Sequence, residues 1–389
     1  MDFDRSIARH QGALVALLAL LICGPAMTQM LPTSIPHYQL LKQALTRYRT
    51  LAADPGLTRL PPLSTRSVKP GQAYAGSEAL RRLLITTGDM RDSAPSPTPG
   101  MLDEALAEGL RNFQRRHGLT EDGVLGAGTY RALTVPLAQR VLQIERTLKR
   151  WEQLPANPGT RTLFINIPPF RLIGLRTPQD TETQMLRMDV VVGRNERRLR
   201  TPTMVTELTD VIFHPYWEVP TSILHHELLP AIRRDPTYLE ANHLEIVSAQ
   251  GSLLEANAAG IESLSTGKAR LRQRPGADNA LGRVKFVLNN DMSIYLHDTP
   301  ATALFARPRR AFSHGCVRVS DPTALARFAL QDDASWSAER IQAMMDGEQT
   351  LRVHLPKPIR VYFVYGTALA MENGEVRFYE DVYGLDGAD

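Results

Sequence analysis

Up to about residue 155 the apolar positions recur every three or four residues; beyond Thr162 they gather into short runs separated by turn residues. The first spacing predicts amphipathic helices. Leu40, Leu41, Ala44, Leu45 and Tyr48 share one side of a helix over residues 38–51. Leu102, Ala105, Leu106, Leu110 and Phe113 do the same over residues 101–117, and Gly118 supplies the stop. Val141, Ile144, Leu148 and Trp151 mark a longer helix over residues 136–154. Four prolines between Pro55 and Pro70 read as a linker without regular structure. A compact helical unit is expected over residues 77–133, with turns at Asp122-Gly123 and Gly126-Ala127-Gly128 before a short last helix.

The second spacing predicts strands over residues 163–167, 187–193, 211–213, 284–288, 293–297, 351–353 and 359–365. Strands this short and frequent argue a twisted sandwich or barrel. Between Val219 and Leu281 the strand pattern stops, and helical or irregular sequence such as Leu224-His225-His226-Glu227 takes over. An insertion of that length inside a β-domain reads as a functional lid. The expected class is multidomain α+β: a mainly-β sandwich with an inserted capping subdomain, a small three-helix domain and helical scaffold segments.

The chain has 389 residues, too many for one ordinary core, so two or three domains are expected. A net charge of +4 is too small to argue for nucleic acid, and no Lys/Arg block interleaved with aromatics occurs. Arg5 and Arg9 precede an apolar run from Ala13 to Cys23, with Gly24 and Ala26 as small residues behind it. That run is short for a membrane span and suits a cleaved export signal over residues 1–26, an uncleaved inner-membrane anchor being the alternative. Cleavage would leave Cys316 as the single cysteine. A lone thiol in an exported protein forms no internal disulfide and is therefore reactive or inert.

Its neighbours favour reactivity. Cys316 stands in Ser313-His314-Gly315-Cys316-Val317-Arg318, and a second histidine, His297, closes a strand-like run. An imidazole beside a thiol is the common way to obtain the attacking thiolate. His297 is the better base because a strand end fixes its position, and Asp298 is placed to orient it through its carboxylate or its carbonyl oxygen. Gly315 lets the backbone come close, so N–H groups around Gly315 and Cys316 are expected to face an oxyanion, each donor contributing about 3 kcal/mol. His314 either shapes the turn or exchanges protons, and Arg318 is either a surface charge or a carboxylate clamp. Adjacent His225 and His226 diverge on any helix, so no metal is expected, and no cofactor.

Tyr295-Leu296-His297-Asp298-Thr299-Pro300 followed by Ser313 to Val319 resembles the active-site signature of L,D-transpeptidases with a YkuD-type catalytic domain. Asn166-Ile167-Pro168, Thr201-Pro202 and His214-Pro215-Tyr216-Trp217-Glu218-Val219-Pro220 are similar to the large, multidomain Gram-negative subgroup of the YcbB kind. Residues 110–119, Asp122 to Gly126 and Thr129 resemble a three-helix peptidoglycan-binding domain. The resemblance implies a catalytic domain over residues 161–368 with a cap at about 221–281. It also implies a peptidoglycan-binding-like domain over 76–135, scaffold segments at 31–75 and 136–160, and a tail at 369–389. It further implies that Cys316 attacks the diaminopimelate carbonyl of a tetrapeptide stem and passes the acyl group to another stem's amine, a 3→3 cross-link. His297 would be the base, Asp298 its orienter, and Ser313, His314 and Gly315 would shape the oxyanion region. Arg318, Tyr295 and Trp217 would meet substrate. Peptidoglycan is the expected partner, with peptidoglycan synthases and carboxypeptidases as candidates and no nucleic acid; the periplasm is the expected location. An L,D-carboxypeptidase, a transferase attaching a protein to the stem, and a wall-binding protein with an incidental cysteine are the alternatives.

Overall fold

The computed structural model describes residues 38–91, 98–155, 161–177, 180, 181 and 183–387. The export-signal reading lies outside them. Among the described residues no helix is long and apolar enough to cross a membrane.

The helical half comprises α1 (Tyr38–Leu51), β1 (Ser67–Val68), α2 (Ser77–Thr87), α3 (Glu104–Arg116), β2 (Leu125–Gly126), α4 (Ala127–Leu133) and α5 (Leu137–Glu152). Asp103 starts α3: its carboxylate accepts the Leu106 N–H at 2.8 Å, satisfying a donor the first turn leaves over. The same carboxylate takes Arg81 of α2 at 2.6 Å, fixing one helix to the next. The linker expectation is corrected at two places. Ser67 and Val68 pair antiparallel with Gly126 and Leu125, and Leu57 and Leu60 are buried. Prolines at 61, 62 and 70 exclude a long element but leave room for a two-residue pairing between them.

The β half begins with β3 (Thr162–Asn166), β4 (Arg171–Leu175), β5 (Leu186–Gly193) and β6 (Met204–Phe213). The insertion follows. It contains β7 (Trp217–Glu218), α6 (Thr221–Ile223), a π-helical turn (Leu224–Leu228), α7 (Leu229–Arg234) and α8 (Tyr238–Ala241). It continues through β8 (Leu244–Ser248), β9 (Leu253–Leu254), α9 (Ala258–Ser265) and β10 (Ala269–Gln273). Strands therefore do not stop here as the sequence suggested: β7, β10, β8 and β9 form a separate four-stranded sheet. It covers a small core of its own, in which Ile232, Leu264 and Leu271 are fully buried. Each strand is too short for its alternation to stand out.

The chain returns through β11 (Val284–Leu288), β12 (Leu296–His297), a 3₁₀ turn (Thr302–Ala306), β13 (Ala311–Ser313) and β14 (Val317–Val319). Then come α10 (Pro322–Leu330), α11 (Ala338–Asp346), β15 (Leu351–Val364), β16 (Ala368–Ala370) and β17 (Val376–Phe378). The large sheet runs β13-β5-β14-β12-β11-β6-β15-β3-β4, and β4 also pairs with β5, so the sheet closes on itself. Its inner face buries Leu163, Val190, Phe213, Phe286, Leu296 and Val317, among others. Each fully buried side chain of this kind stabilises by about 1.5–3 kcal/mol.

Alternation sends Phe164, Tyr362 and Val364 to the opposite face, where they join one core with α1, α2, α3 and α5. The β16–β17 hairpin completes that core, so residues 369–387 are a packed part of the fold, and the expectation of a tail is corrected. Arg116 of α3 locks the arrangement. It donates two N–H groups to the buried Asp89 carboxylate and a third to the Val376 carbonyl at 2.7 Å.

Candidate active site

Strand pairing assembles the site. β12 runs parallel to β14 with Leu296 opposite Val317 and His297 opposite Arg318, and antiparallel to β11 with His297 opposite Lys285. Paired residues point to the same face, and side chains two apart share it. Leu296, Val317 and Phe286 go into the core; Tyr295, His297, Lys285, Cys316 and Arg318 share the other face. The motif halves, well separated in sequence, thus become one wall.

His297 is 5% exposed, and its Nδ1 lies 2.5 Å from the Asp298 carbonyl oxygen. A carbonyl only accepts, so Nδ1 carries the proton and Nε2 keeps its lone pair. Of the two ways the sequence left open for Asp298 to orient the ring, the carbonyl is the one used. The Asp298 carboxylate instead accepts N–H groups of Thr299 at 2.7 Å and Arg283 at 2.8 Å. Burial, the Arg318 charge and Lys285 push the imidazole down to about 3, against the lift from the carbonyl bond.

Cys316 is half-buried, and its thiol donates to the Ser293 carbonyl at 3.5 Å. Burial raises its pKa, partly opposed by Tyr295, Lys285 and Arg318. Both shifts favour the neutral forms, thiol and imidazole, at rest. The Tyr295 hydroxyl lies near Cys316 and Trp217, and burial keeps it firmly protonated. Lys285, half-buried, holds its Nζ 4.0 Å above the Tyr295 ring, and burial lowers its pKa. The Arg318 Nε is buried without a hydrogen-bond partner.

Gly315 adopts φ 122°, a conformation that other residues rarely reach, and a Cβ there would lie 3.1 Å from Ile294. Its N–H is taken up by the Ser313 hydroxyl at 3.1 Å, which itself donates to the Cys316 carbonyl at 2.6 Å. The Gly315 amide thus holds the loop rather than facing an oxyanion. His314 points to the insertion: its Nε2 lies 2.5 Å from a Glu227 carboxylate oxygen and 3.2 Å from Arg194. Trp217 reaches the wall from the insertion's first strand.

Several site residues were given no role by the sequence reading. Thr201 donates its hydroxyl to the Gly315 carbonyl at 2.7 Å and its N–H to the Tyr383 hydroxyl at 3.1 Å. That hydroxyl donates onward to the Gly193 carbonyl at 2.7 Å. Lys285 and Glu227 were also unmarked. Strand alternation would have placed Lys285 on the outer face, but only register shows what it meets.

Residues 160–347 match the family described as the YkuD L,D-transpeptidase catalytic domain, and residues 75–133 match the "Putative peptidoglycan binding domain". A Haemophilus influenzae (strain ATCC 51907 / DSM 11121 / KW20 / Rd) protein named "Putative L,D-transpeptidase" is 35% identical over 225 residues. The match covers 58% of this chain and 44% of that relative, less than half its length. A solved structure, "L,D-transpeptidase from Mycobacterium smegmatis", covers 52% of this chain and 58% of its own at 12% identity, with a TM-score of 0.25. The stretch that holds the thiol, both histidines and the insertion belongs to the YkuD family of L,D-transpeptidase catalytic domains, and a peptidoglycan-binding domain precedes it in the chain.

Proposed function

We propose that the protein is a cysteine-dependent L,D-transpeptidase that forms 3→3 links between diaminopimelate residues of peptidoglycan stems through a thioester on Cys316. One observation carries this reading: the β12–β14 pairing sets the half-buried thiol and the carbonyl-held imidazole of His297 on one wall. Starting from a neutral pair, His297 Nε2 takes the thiol proton as sulfur attacks the carbonyl of the third stem residue. The Cys316 N–H and the Tyr295 hydroxyl are the donors placed for the oxyanion. The bond to the terminal D-alanine breaks, and Nε2 returns the proton to the leaving amine. The acceptor stem's amine then attacks the thioester and gives its proton to Nε2. The C–S bond breaks, and sulfur recovers the proton. Lys285 and Arg318 favour negative charge at sulfur, and Arg318 is the candidate clamp for a stem carboxylate.

Water competes with the acceptor amine for the thioester. The insertion, which reaches the wall through Trp217 and Glu227, supports transfer over hydrolysis because a positioned amine gains on the order of 7 kcal/mol over a free one. Domains acting on peptidoglycan suggest a location outside the cytoplasm, and we assign the periplasm, with synthases and carboxypeptidases as suppliers of suitable stems. Incubation with purified disaccharide-tetrapeptides is expected to give 3→3 dimers and an acyl adduct on Cys316. Trimming to tripeptides without dimers would establish the L,D-carboxypeptidase instead.

A further inference from the structure

A cleft of about 1060 Å3 opens where the helical and β halves meet, and none of the wall residues around Cys316 lines it. Nine arginines and two glutamates do. Arg115, Arg131 and Arg140 come from α3, α4 and α5; Arg187, Arg307 and Arg309 come from β5 and the segment before β13. Among the described residues Arg131 and Arg309 have no ion pair or side-chain hydrogen bond. Arg140 is 8% exposed and bonds only neutral oxygens, Gln143 at 2.7 Å and the Ala132 carbonyl at 2.9 Å. Burial and the nearby Arg116 bring its pKa down to about 10. Trp151, Phe164, Phe170 and Phe378 lie buried beneath its floor, with the Arg140 guanidinium 4.8 Å from the Phe378 ring centroid.

Cations that the fold leaves without counter-charges mark a place for an anion, and guanidinium forks suit carboxylates in particular. The volume is at the upper end for a small-molecule site, roughly 300–1,000 Å3, so the ligand is larger than one amino acid. We infer that this cleft binds a segment of peptidoglycan strand through the carboxylates of its peptide stems, and that both halves of the protein build the site. The choice of polymer rests on the proposed function; the need for a polyanion does not.

The cleft also has a short route to the thiol. Arg310 anchors the rim, donating to the Asp189 carboxylate at 2.6 Å and to the Val190 and Phe170 carbonyls at 3.2 Å. β13 continues from it to Ser313, and Arg309 precedes Cys316 by seven residues, a separation of at most about 25 Å. A strand lying in the cleft would therefore hold neighbouring stems within reach of the catalytic wall.

The test uses the full chain carrying Cys316→Ala, so that nothing turns over, and fluorescence anisotropy with labelled muropeptide oligomers. Arg131→Glu with Arg309→Glu is expected to weaken binding by about tenfold for each guanidinium removed. Oligomers whose carboxylates have been amidated should bind weakly to parent and variant alike. A thermal melt checks that the variant is folded; should it not be, Arg131→Gln with Arg309→Gln replaces it. Equal affinity of folded variant and parent, or undiminished binding of the amidated oligomer, overturns the proposal. So does tight binding of polyphosphate or of phosphatidylglycerol vesicles with none of the muropeptide. Failure of the unmodified chain to acylate Cys316 would instead strike the proposed function, whatever the cleft binds.

Discussion

Two places in this molecule take cationic side chains out of water, and they treat them in opposite ways. Arg116 in the helical half is 4% exposed and fully matched: the Asp89 carboxylate accepts two of its N–H groups and a backbone carbonyl a third. Burial would lower its pKa, but Asp89 and Tyr48 together more than offset that, and the net shift is upward. On the wall around Cys316, Lys285 and Arg318 are both shifted downward, with burial the largest cause in each case, and no carboxylate pairs with them among the described residues. A matched buried ion holds a structure together, whereas an unmatched set leaves a field that an incoming negative charge can use. The difference separates a structural use of charge from a chemical one.

The sharpest way to break that contrast is at the sulfur. Cys316→Ala should abolish the covalent adduct seen by intact-mass spectrometry after exposure to a carbapenem, with the melting temperature little changed. His297→Ala should slow adduct formation by about 10²–10⁴-fold, whereas His314→Ala, whose ring faces Glu227, should do much less. Equal losses would reassign the base. In the helical half Asp89→Ala should cost about 3–5 kcal/mol of stability in denaturant unfolding because it strands Arg116, while the folded fraction still acylates. Lys285→Met should show the reverse: stability held or slightly raised, and acylation slower by roughly tenfold, the effect of about one pKa unit at sulfur.

The gentlest test is pH. An imidazole held at about 3 is already the free base well below neutrality, so acylation should stay level from pH 7 to 5; a fall near pH 6.5 would mean a solvent-like histidine governs the rate. The same depression makes His297 contribute stability that is present above pH 6.5 and is lost as pH falls toward about 3, because the unfolded chain binds the proton first.

Much of this arrangement can be read from sequence where the controlling interactions are local. α1 has the bounds its apolar spacing predicts, and β11 runs from Val284 to Leu288 as its alternation requires. Expectation fails where distant partners decide. The run from Ser293 looked like one strand, but Ser293 takes φ 57° and pairing begins only at Leu296. Conversely, the strands expected over residues 351–353 and 359–365 are one continuous β15, whose irregularity between His354 and Ile359 absorbs Pro356 and Pro358. The site follows the same rule. Cys316 and His297 announce themselves through their immediate neighbours; Lys285, Thr201 and Glu227 acquire meaning only from register or from contacts across the fold.

Tyr383 is the extreme case. Its hydroxyl braces the platform beneath the catalytic loop, yet its two partners there lie 182 and 190 positions earlier in the chain. A polypeptide interrupted anywhere between Val319 and Tyr383 would retain the Tyr295-to-Val319 motifs and lack the prop that holds Thr201 against Gly315. The setting of the loop before Cys316 is thereby tied to a residue that joins the fold near its end.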